Sequence, residues 1–163
     1  MRLYPMNKYF CQRYQPKGAT LLELVVVVAI IVVLYTVAIP YFTRAKNNLT
    51  LKSVTRDIAS FLLMAKSKSI KGSKISVDLS DAQKIEICEG NTGYCDTAEQ
   101  ILEIPDDIQF ESNLDAFYFE RGFPKRPGGP FAAGTITLRH TKTDKCFNIT
   151  ISKTGRIKIN ACE

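Results

Sequence analysis

The chain has 163 residues, the length of one domain, and 45% of them are hydrophobic. Its formal charge is +6, but four of its basic residues lie among the first 18, where there is no acid. Without those four the charge is +2, so overall charge does not identify a nucleic-acid-binding protein.

A basic segment is followed by an apolar one. Every residue from Leu24 to Leu34 is apolar, and the run extends over residues 19–39, which at about 1.5 Å per residue spans a bilayer core. No basic residue follows until Arg44, which places the N-terminus in the cytoplasm and the rest of the chain outside it. We therefore predict a single-pass membrane protein with its N-terminus in the cytoplasm and its C-terminal domain outside it.

Two other readings of this segment are less suitable. A secretory signal needs a small-x-small cleavage site, and residues 36–40 offer a poor one. A plain membrane anchor leaves Glu23 unexplained, because an ionisable side chain in a spanning helix costs up to about 2.5 to 3.5 kcal/mol on insertion scales. Glu23 is therefore a candidate functional residue.

Residues 17–24, KGATLLEL, with the following VVVVAII, resemble the class III signal of type IV pilins and type II secretion pseudopilins. The resemblance implies that prepilin peptidase cuts after Gly18 and methylates Ala19, although phenylalanine or methionine is more usual there. It also implies that Glu23 acts in assembly and that Pro40 kinks or melts the helix. The resemblance places the chain in a bacterial inner membrane with a periplasmic globular domain, and later in a pilus or pseudopilus. The expected partners are other pilins or pseudopilins, the peptidase and inner-membrane lipid.

The assembly role of Glu23 also has a physical reason. Cleavage would create a positive α-amine on Ala19 at membrane depth, and a carboxylate on a neighbouring chain could neutralise it. A pair formed within one subunit is the alternative.

A helical pattern continues after Pro40. Apolar residues recur at spacings of three and four, and lysines followed by Gly72 predict the helix end. The apolar positions are Leu51, Val54, Ile58, Phe61, Leu62 and Ala65. We expect one long helix from Ala19 to Lys71. The expected segments are a leader (1–18), a transmembrane helix (19–39), its amphipathic continuation (40–72) and a β-rich domain (73–163).

From Lys74 onward apolar residues alternate with polar ones, which predicts half-buried antiparallel strands. A turn at residues 153–155 should join the last two strands, and the Pro- and Gly-rich residues 123–130 should form an exposed loop outside the sheet. The predicted strands are residues 75–79, 84–87, 135–139, 147–151 and 156–159, with 101–104 and 116–119 as weaker candidates. The fold class is α+β, and the resemblance implies a type IV pilin fold.

Of the five cysteines, Cys11 falls in the leader and four follow the apolar run. An even number suits an oxidising compartment. Of three possible connectivities we favour the one that pairs Cys88 with Cys95 and Cys146 with Cys162, because each of its two bonds closes a local loop. Zinc is the rival, but the chain has no CxxC pair and one histidine, so no metal is expected.

No catalytic motif is present, so we expect a non-enzyme without a cofactor. His140 ends a predicted strand among basic residues and is expected at the surface. Asp106 and Asp107 are expected to be turn residues.

The last 43 residues form a basic tail. They contain nine basic and two acidic residues, whereas residues 74–120 contain two basic and twelve acidic ones. Residues 119, 121–122, 134–138, 149–152 and 155–159 resemble the globular domain of FimT-like minor pilins and GspH-type pseudopilins. Some FimT-like proteins bind DNA through a Gly-Arg-x-Lys-like element, and residues 155–158 match it. The candidate cations for duplex DNA without sequence specificity are Arg139, Lys142, Lys145, Lys153, Arg156 and Lys158. Solvated charges, or contact with an acidic segment, are the alternative.

Overall fold

The computed structural model describes residues 20–143 and 145–162. Gly18 and Ala19, the predicted cleavage residues, lie outside the described part, as does Cys11. The chain divides after Pro40 into two units.

One α-helix, α1 (Leu21–Ile70), crosses that division. It starts two residues after the predicted mature N-terminus and ends one residue before the predicted end at Lys71. Within the described residues it is the one helix long and apolar enough to cross a membrane, and its most apolar part is wholly exposed. The helix is terminated at Gly72, whose φ of 112° suits a residue without a Cβ and whose N–H donates to the carbonyl of Ser69 at 3.3 Å.

The second half of α1 supplies one side of the core. Leu51, Ile58, Leu62 and Ala65 are all 0% exposed, which confirms the predicted apolar stripe. These side chains pack with inward-facing residues of two antiparallel sheets, because alternation along each strand sends every second residue to the same face. The largest fully buried sheet residues are Phe117, Phe119, Ile75, Ile85, Ile87, Ile136, Leu138, Ile149 and Ile151.

The first sheet has five strands in the order β3-β2-β1-β5-β6, and the second has four in the order β4-β7-β8-β9. All neighbouring pairs are antiparallel, as predicted. The strands are β1 (Ile75–Asp78), β2 (Lys84–Glu89), β3 (Gln100–Glu103), β4 (Ile108–Ser112), β5 (Ala116–Glu120), β6 (Phe123–Lys125), β7 (Gly134–His140), β8 (Cys146–Ile151) and β9 (Ile157–Ala161).

Two strands differ from the prediction. The expected loop at residues 123–130 begins with β6, which pairs with β5 and buries Pro124 opposite Phe119. A proline is tolerated there because β6 is the outermost strand and needs hydrogen bonds on one side only. Strand β4 was not predicted at all.

Both predicted disulfides form, Cys88 with Cys95 and Cys146 with Cys162. The first closes a loop against the outer face of the first sheet, where the N–H of Gly93 donates to the Ser76 hydroxyl at 3.1 Å. The second joins the start of β8 to the end of the chain beside β9. Each disulfide therefore fixes a segment that the hydrophobic core leaves at the periphery.

Candidate functional site

The first candidate feature is the start of α1. The N–H of Glu23 donates to the Thr20 hydroxyl at 3.2 Å, and the N–H of Leu24 donates to the Thr20 carbonyl at 3.2 Å. Thr20 is therefore the N-cap, and Thr-x-x-Glu is the capping-box pattern, in which the carboxylate also suits the helix dipole. This cap was not predicted from the sequence, although a threonine three residues before a glutamate is its usual signal.

The threonine hydroxyl in the apolar part of α1 is satisfied within the helix. Thr36, its one hydroxyl-bearing interruption besides Tyr35, donates to the carbonyl of Val33 at 2.8 Å. Residues on both sides of Pro40 are helical, so the helix is not melted there. Pro40 lacks an N–H, and the carbonyl of Thr36 loses its usual donor one turn later. Side chains of this part are exposed all round, which suits a lipid or a protein partner rather than water.

The second candidate feature is the turn between β8 and β9, which the structure forms at the predicted place. Ser152 donates its N–H to the carbonyl of Arg156 at 2.9 Å, and Gly155 donates to the carbonyl of Ser152 at 2.9 Å. The hydroxyl of Ser152 also accepts the N–H of Arg156 at 3.0 Å. Gly155 has a φ of 73°, so a residue with a Cβ would be strained there.

This turn rests on the second half of α1 and on the β5–β6 turn. The ammonium group of Lys66 donates to the Gly155 carbonyl at 2.9 Å, and a Cβ on Gly155 would lie 2.4 Å from the Gly122 carbonyl oxygen. Gly122 donates its own N–H to Ser69, a fully buried helix residue, at 3.0 Å. Because backbone meets backbone here, the hairpin has one fixed position on the domain.

The six candidate cations are all exposed, but they lie in two groups. Arg139 on β7 is paired with Cys146 of β8, and Lys158 on β9 is paired with Thr150 of β8. Their positions therefore differ by four residues along the strand direction, about 14 Å. Across the sheet they differ by two strand spacings, about 10 Å. The Cα atoms of Arg139 and Lys158 are thus about 17 Å apart. The candidate cations therefore lie near the two ends of β8. Lys153, Arg156 and Lys158 make a hairpin group, and Arg139, Lys142 and Lys145 make a loop group.

Arg121 joins the hairpin group, although it was not among the candidate cations predicted from the sequence. Arg121 comes directly before Gly122, and Arg156 comes directly after Gly155, so the two arginines flank the contact between the two turns. Arg121 itself has a φ of 51°. Within the described residues, none of Arg121, Lys153, Arg156 and Lys158 has a carboxylate within 4.0 Å. These cations are therefore available to an external anion.

Glu120, which precedes Arg121 in the sequence, already forms ion pairs with two lysines. Glu120 lies between Lys125 and Lys74, and the hydrogen bond from Lys125 lowers the pKa of the Glu120 carboxyl while raising the pKa of the lysine. Glu120 is thus ionised at neutral pH and engaged within its own strand pair.

The expectation that His140 is a surface residue is wrong. Its side chain is 1% exposed, because it lies two residues after buried Leu138 on the inward face of β7. Its Nδ1 accepts the N–H of Lys142 at 3.1 Å, and its Nε2 lies 3.4 Å from a carboxylate oxygen of Asp107. Asp106 and Asp107 lie in the turn before β4, as predicted. Thr141 holds the β7–β8 loop against this turn, because its N–H and its hydroxyl donate to the carbonyl of Asp107 at 2.9 and 3.1 Å. The Nε2 atom of His140 forms no hydrogen bond with the described residues. In the described residues, His, Cys, Asp and Glu do not gather into any group of three that could hold a metal ion.

No protein-family model and no curated protein matches the sequence. Among solved structures, the fold is similar to that of the minor pseudopilin EpsH from the Type 2 Secretion System of Vibrio cholerae, with a TM-score of 0.52. The two sequences are 12% identical, and the match covers 68% of this chain and 96% of the other. The comparison confirms a pilin-like α+β fold, in which a long N-terminal helix packs through its second half on antiparallel sheets.

Proposed function

We propose that the chain is a minor pilin or pseudopilin, a non-enzymatic structural subunit of a membrane-assembled filament. The observation that carries the proposal is the apolar first part of α1, exposed throughout and about 28 Å long from Leu21 to Ile39. That length matches a bilayer core, and the same surface can be buried among helices of other subunits in a filament. The pilin-like fold of the globular unit supports this role.

Processing by prepilin peptidase completes the proposal. Cleavage after Gly18 gives a mature chain that starts at Ala19, with its α-amine one helical turn before Glu23. Two charges that are costly in an apolar environment neutralise each other when the amine of one subunit meets the carboxylate of another. Because that pairing exists in one register only, Glu23 selects the position at which a subunit enters the filament.

Two variants separate assembly from helix capping. Glu23→Ala removes the carboxylate, and we expect it to be processed and membrane-inserted but absent from sheared filaments. Thr20→Ala removes the capping hydroxyl and keeps the charge, so it should still assemble. Mass spectrometry should find Ala19 as the first residue of both. Normal incorporation of Glu23→Ala, or equal loss with Thr20→Ala, would contradict the role of the charge.

The choice of machine is a second question. We favour a type IV pilus on the resemblance of residues 155–158 to FimT-like minor pilins, with a type II secretion pseudopilus as the alternative suggested by EpsH. Deletion of the chain should abolish twitching or transformation in the first case and secretion in the second. The neighbouring genes would distinguish the same two machines, since competence genes indicate a type IV pilus and secretion genes indicate a pseudopilus.

The hairpin group favours a second candidate function, binding of duplex DNA for uptake. Lys153, Arg156 and Lys158 project from a turn that Lys66 holds in place, so cations can meet phosphates without prior ordering of the loop. Such contacts release counterions and carry no base information. Arg121 extends the same surface across the turn–turn contact.

The split of the cations provides a matched test of DNA binding. We expect full-length protein in detergent micelles to bind labelled duplex with affinity that falls steeply with salt. Arg156→Gln with Lys158→Gln should lower the slope of log affinity against log salt by about 2. Arg139→Gln with Lys142→Gln removes the same charge from the loop group and should change the slope little. Equal effects of both pairs, or no binding at micromolar protein, would remove the hairpin site.

A further inference from the structure

One phenylalanine of the β-rich domain is exposed to solvent. Phe123 is 55% exposed, whereas the other phenylalanines between residues 73 and 162 belong to the core or pack against it. Strand β6 explains the difference, because Pro124 takes the inward position opposite buried Phe119. Alternation then turns Phe123 to the solvent-facing side, opposite Glu120. Packing of the core therefore does not account for an aromatic side chain at this position.

Phe123 lies beside the hairpin group. It comes directly after Gly122, whose carbonyl group contacts Gly155, and the ring of Pro124 would be 3.3 Å from a Cβ on Gly155. Chain geometry then limits the distance between the Cα atoms of Phe123 and Arg156 to about 11 Å. Because both side chains are long, they can contact neighbouring parts of one ligand.

Phe123 also lines a shallow groove. The groove has a volume of about 380 Å³ and is lined by Glu120, Arg121, Phe123 and Lys125. Glu120 already pairs with Lys125, and its negative charge disfavours a phosphate inside the groove. An uncharged planar group is better suited to that position, stacked on the Phe123 ring, while Arg121 or Arg156 holds an attached phosphate outside it.

We propose that Phe123 is a stacking platform for a base of single-stranded DNA whose phosphates contact the hairpin group. A nucleotide combines the two chemistries that meet here, an uncharged aromatic face and an anion. An aromatic ring beside exposed cations is the usual means of holding single strands without sequence preference. A duplex keeps its base faces stacked inside the helix, so it can use the cations but not the ring. The inference rests on the proposed DNA binding and adds a contact that single strands make and duplexes do not.

DNA with and without accessible bases tests the stacking contact. Full-length protein in detergent micelles is titrated with a labelled thymidine single strand, with an abasic strand of the same length and charge, and with relaxed circular duplex, which exposes no terminal base. Phe123→Leu keeps an apolar side chain but removes the ring, and it should bind the single strand about 5- to 150-fold more weakly, the range for one base stacked on an aromatic ring. Its affinity for the abasic strand and for the duplex should change little.

Ile101→Ala is the matched control. It removes a side chain of similar exposure, 54%, from β3 at the far edge of the same sheet, and it should leave all three affinities unchanged. An equal loss for all three ligands in Phe123→Leu, or no loss for the single strand, would overturn the proposal.

Fluorescence gives a second and more direct readout, because the chain contains no tryptophan. Phe123→Trp keeps an aromatic platform, so it should still bind the single strand, and the stacked base should quench its emission. The abasic strand should bind without quenching. Ile101→Trp places the single tryptophan away from the groove and should show no quenching with either ligand. Equal quenching in the two variants, or none in Phe123→Trp with the single strand bound, would contradict stacking.

The outcome is separable from DNA binding itself. Duplex binding that depends on Arg156 and Lys158, with single-strand binding that does not depend on Phe123, would refute the stacking contact and leave the hairpin site intact. Absence of binding to every form of DNA at micromolar protein would refute both. Loss of Phe123→Leu from sheared filaments with unchanged DNA affinity would show that the ring serves another subunit, which also refutes the proposal.

Discussion

Replacement of Gly155 by alanine tests whether the hairpin is fixed by backbone contact. The new Cβ would lie 2.4 Å from the carbonyl oxygen of Gly122, a backbone atom that cannot rotate away. The φ of 73° adds about 1 to 2 kcal/mol of left-handed strain, and the overpacking adds about 1 to 3 kcal/mol. We therefore expect a loss of about 2 to 5 kcal/mol, a large share of the stability of an ordinary domain.

Gly128 provides a matched control for this substitution. Its φ is 78°, close to that of Gly155, but a Cβ there would meet no heavy atom within 4 Å. Gly128→Ala should therefore lose only the strain, about 1 to 2 kcal/mol. Denaturant unfolding of both full-length variants in micelles, followed by near-ultraviolet circular dichroism, gives the difference. Equal losses would refute the turn–turn contact and, with it, the fixed position of the cations.

Two further substitutions probe the same region. Lys66→Met keeps the aliphatic stem but removes the charged hydrogen bond to the Gly155 carbonyl. The free energy of unfolding should therefore fall by about 1.5 to 3 kcal/mol, and amide hydrogen exchange should accelerate in residues 152–156. Unchanged exchange would contradict the role of Lys66 in holding the turn. Replacing both Cys146 and Cys162 by serine opens a loop with a sequence separation of 16 and should lower the free energy of unfolding by about 3 kcal/mol in the chain-entropy model. The same replacement of Cys88 and Cys95, with a separation of 7, should lower it by about 2.4 kcal/mol. Denaturant midpoints of the two variants give this order, and the reverse order would contradict the model.

Much of the fold follows from local pattern. The helix was predictable because its first part is apolar throughout and its second part carries a stripe at helical spacing. Alternation identified most strands, and glycine identified the hairpin. Strand β6 was missed because proline and glycine usually end strands, and that rule is weaker for an outermost strand with one free side. The burial of His140 had a signal: it follows Ile136 and Leu138 in the same alternation.

The arrangement of the charged residues was not predictable in the same way. Strand register depends on all the contacts of a sheet, and a local sequence pattern does not specify which residues become neighbours across it. Arg139 and Arg156 both lie in a basic tail, yet pairing with β8 sends them to opposite ends of the sheet. Lys66 and Arg121 lie outside the strands of that tail, yet the fold brings both to the hairpin turn.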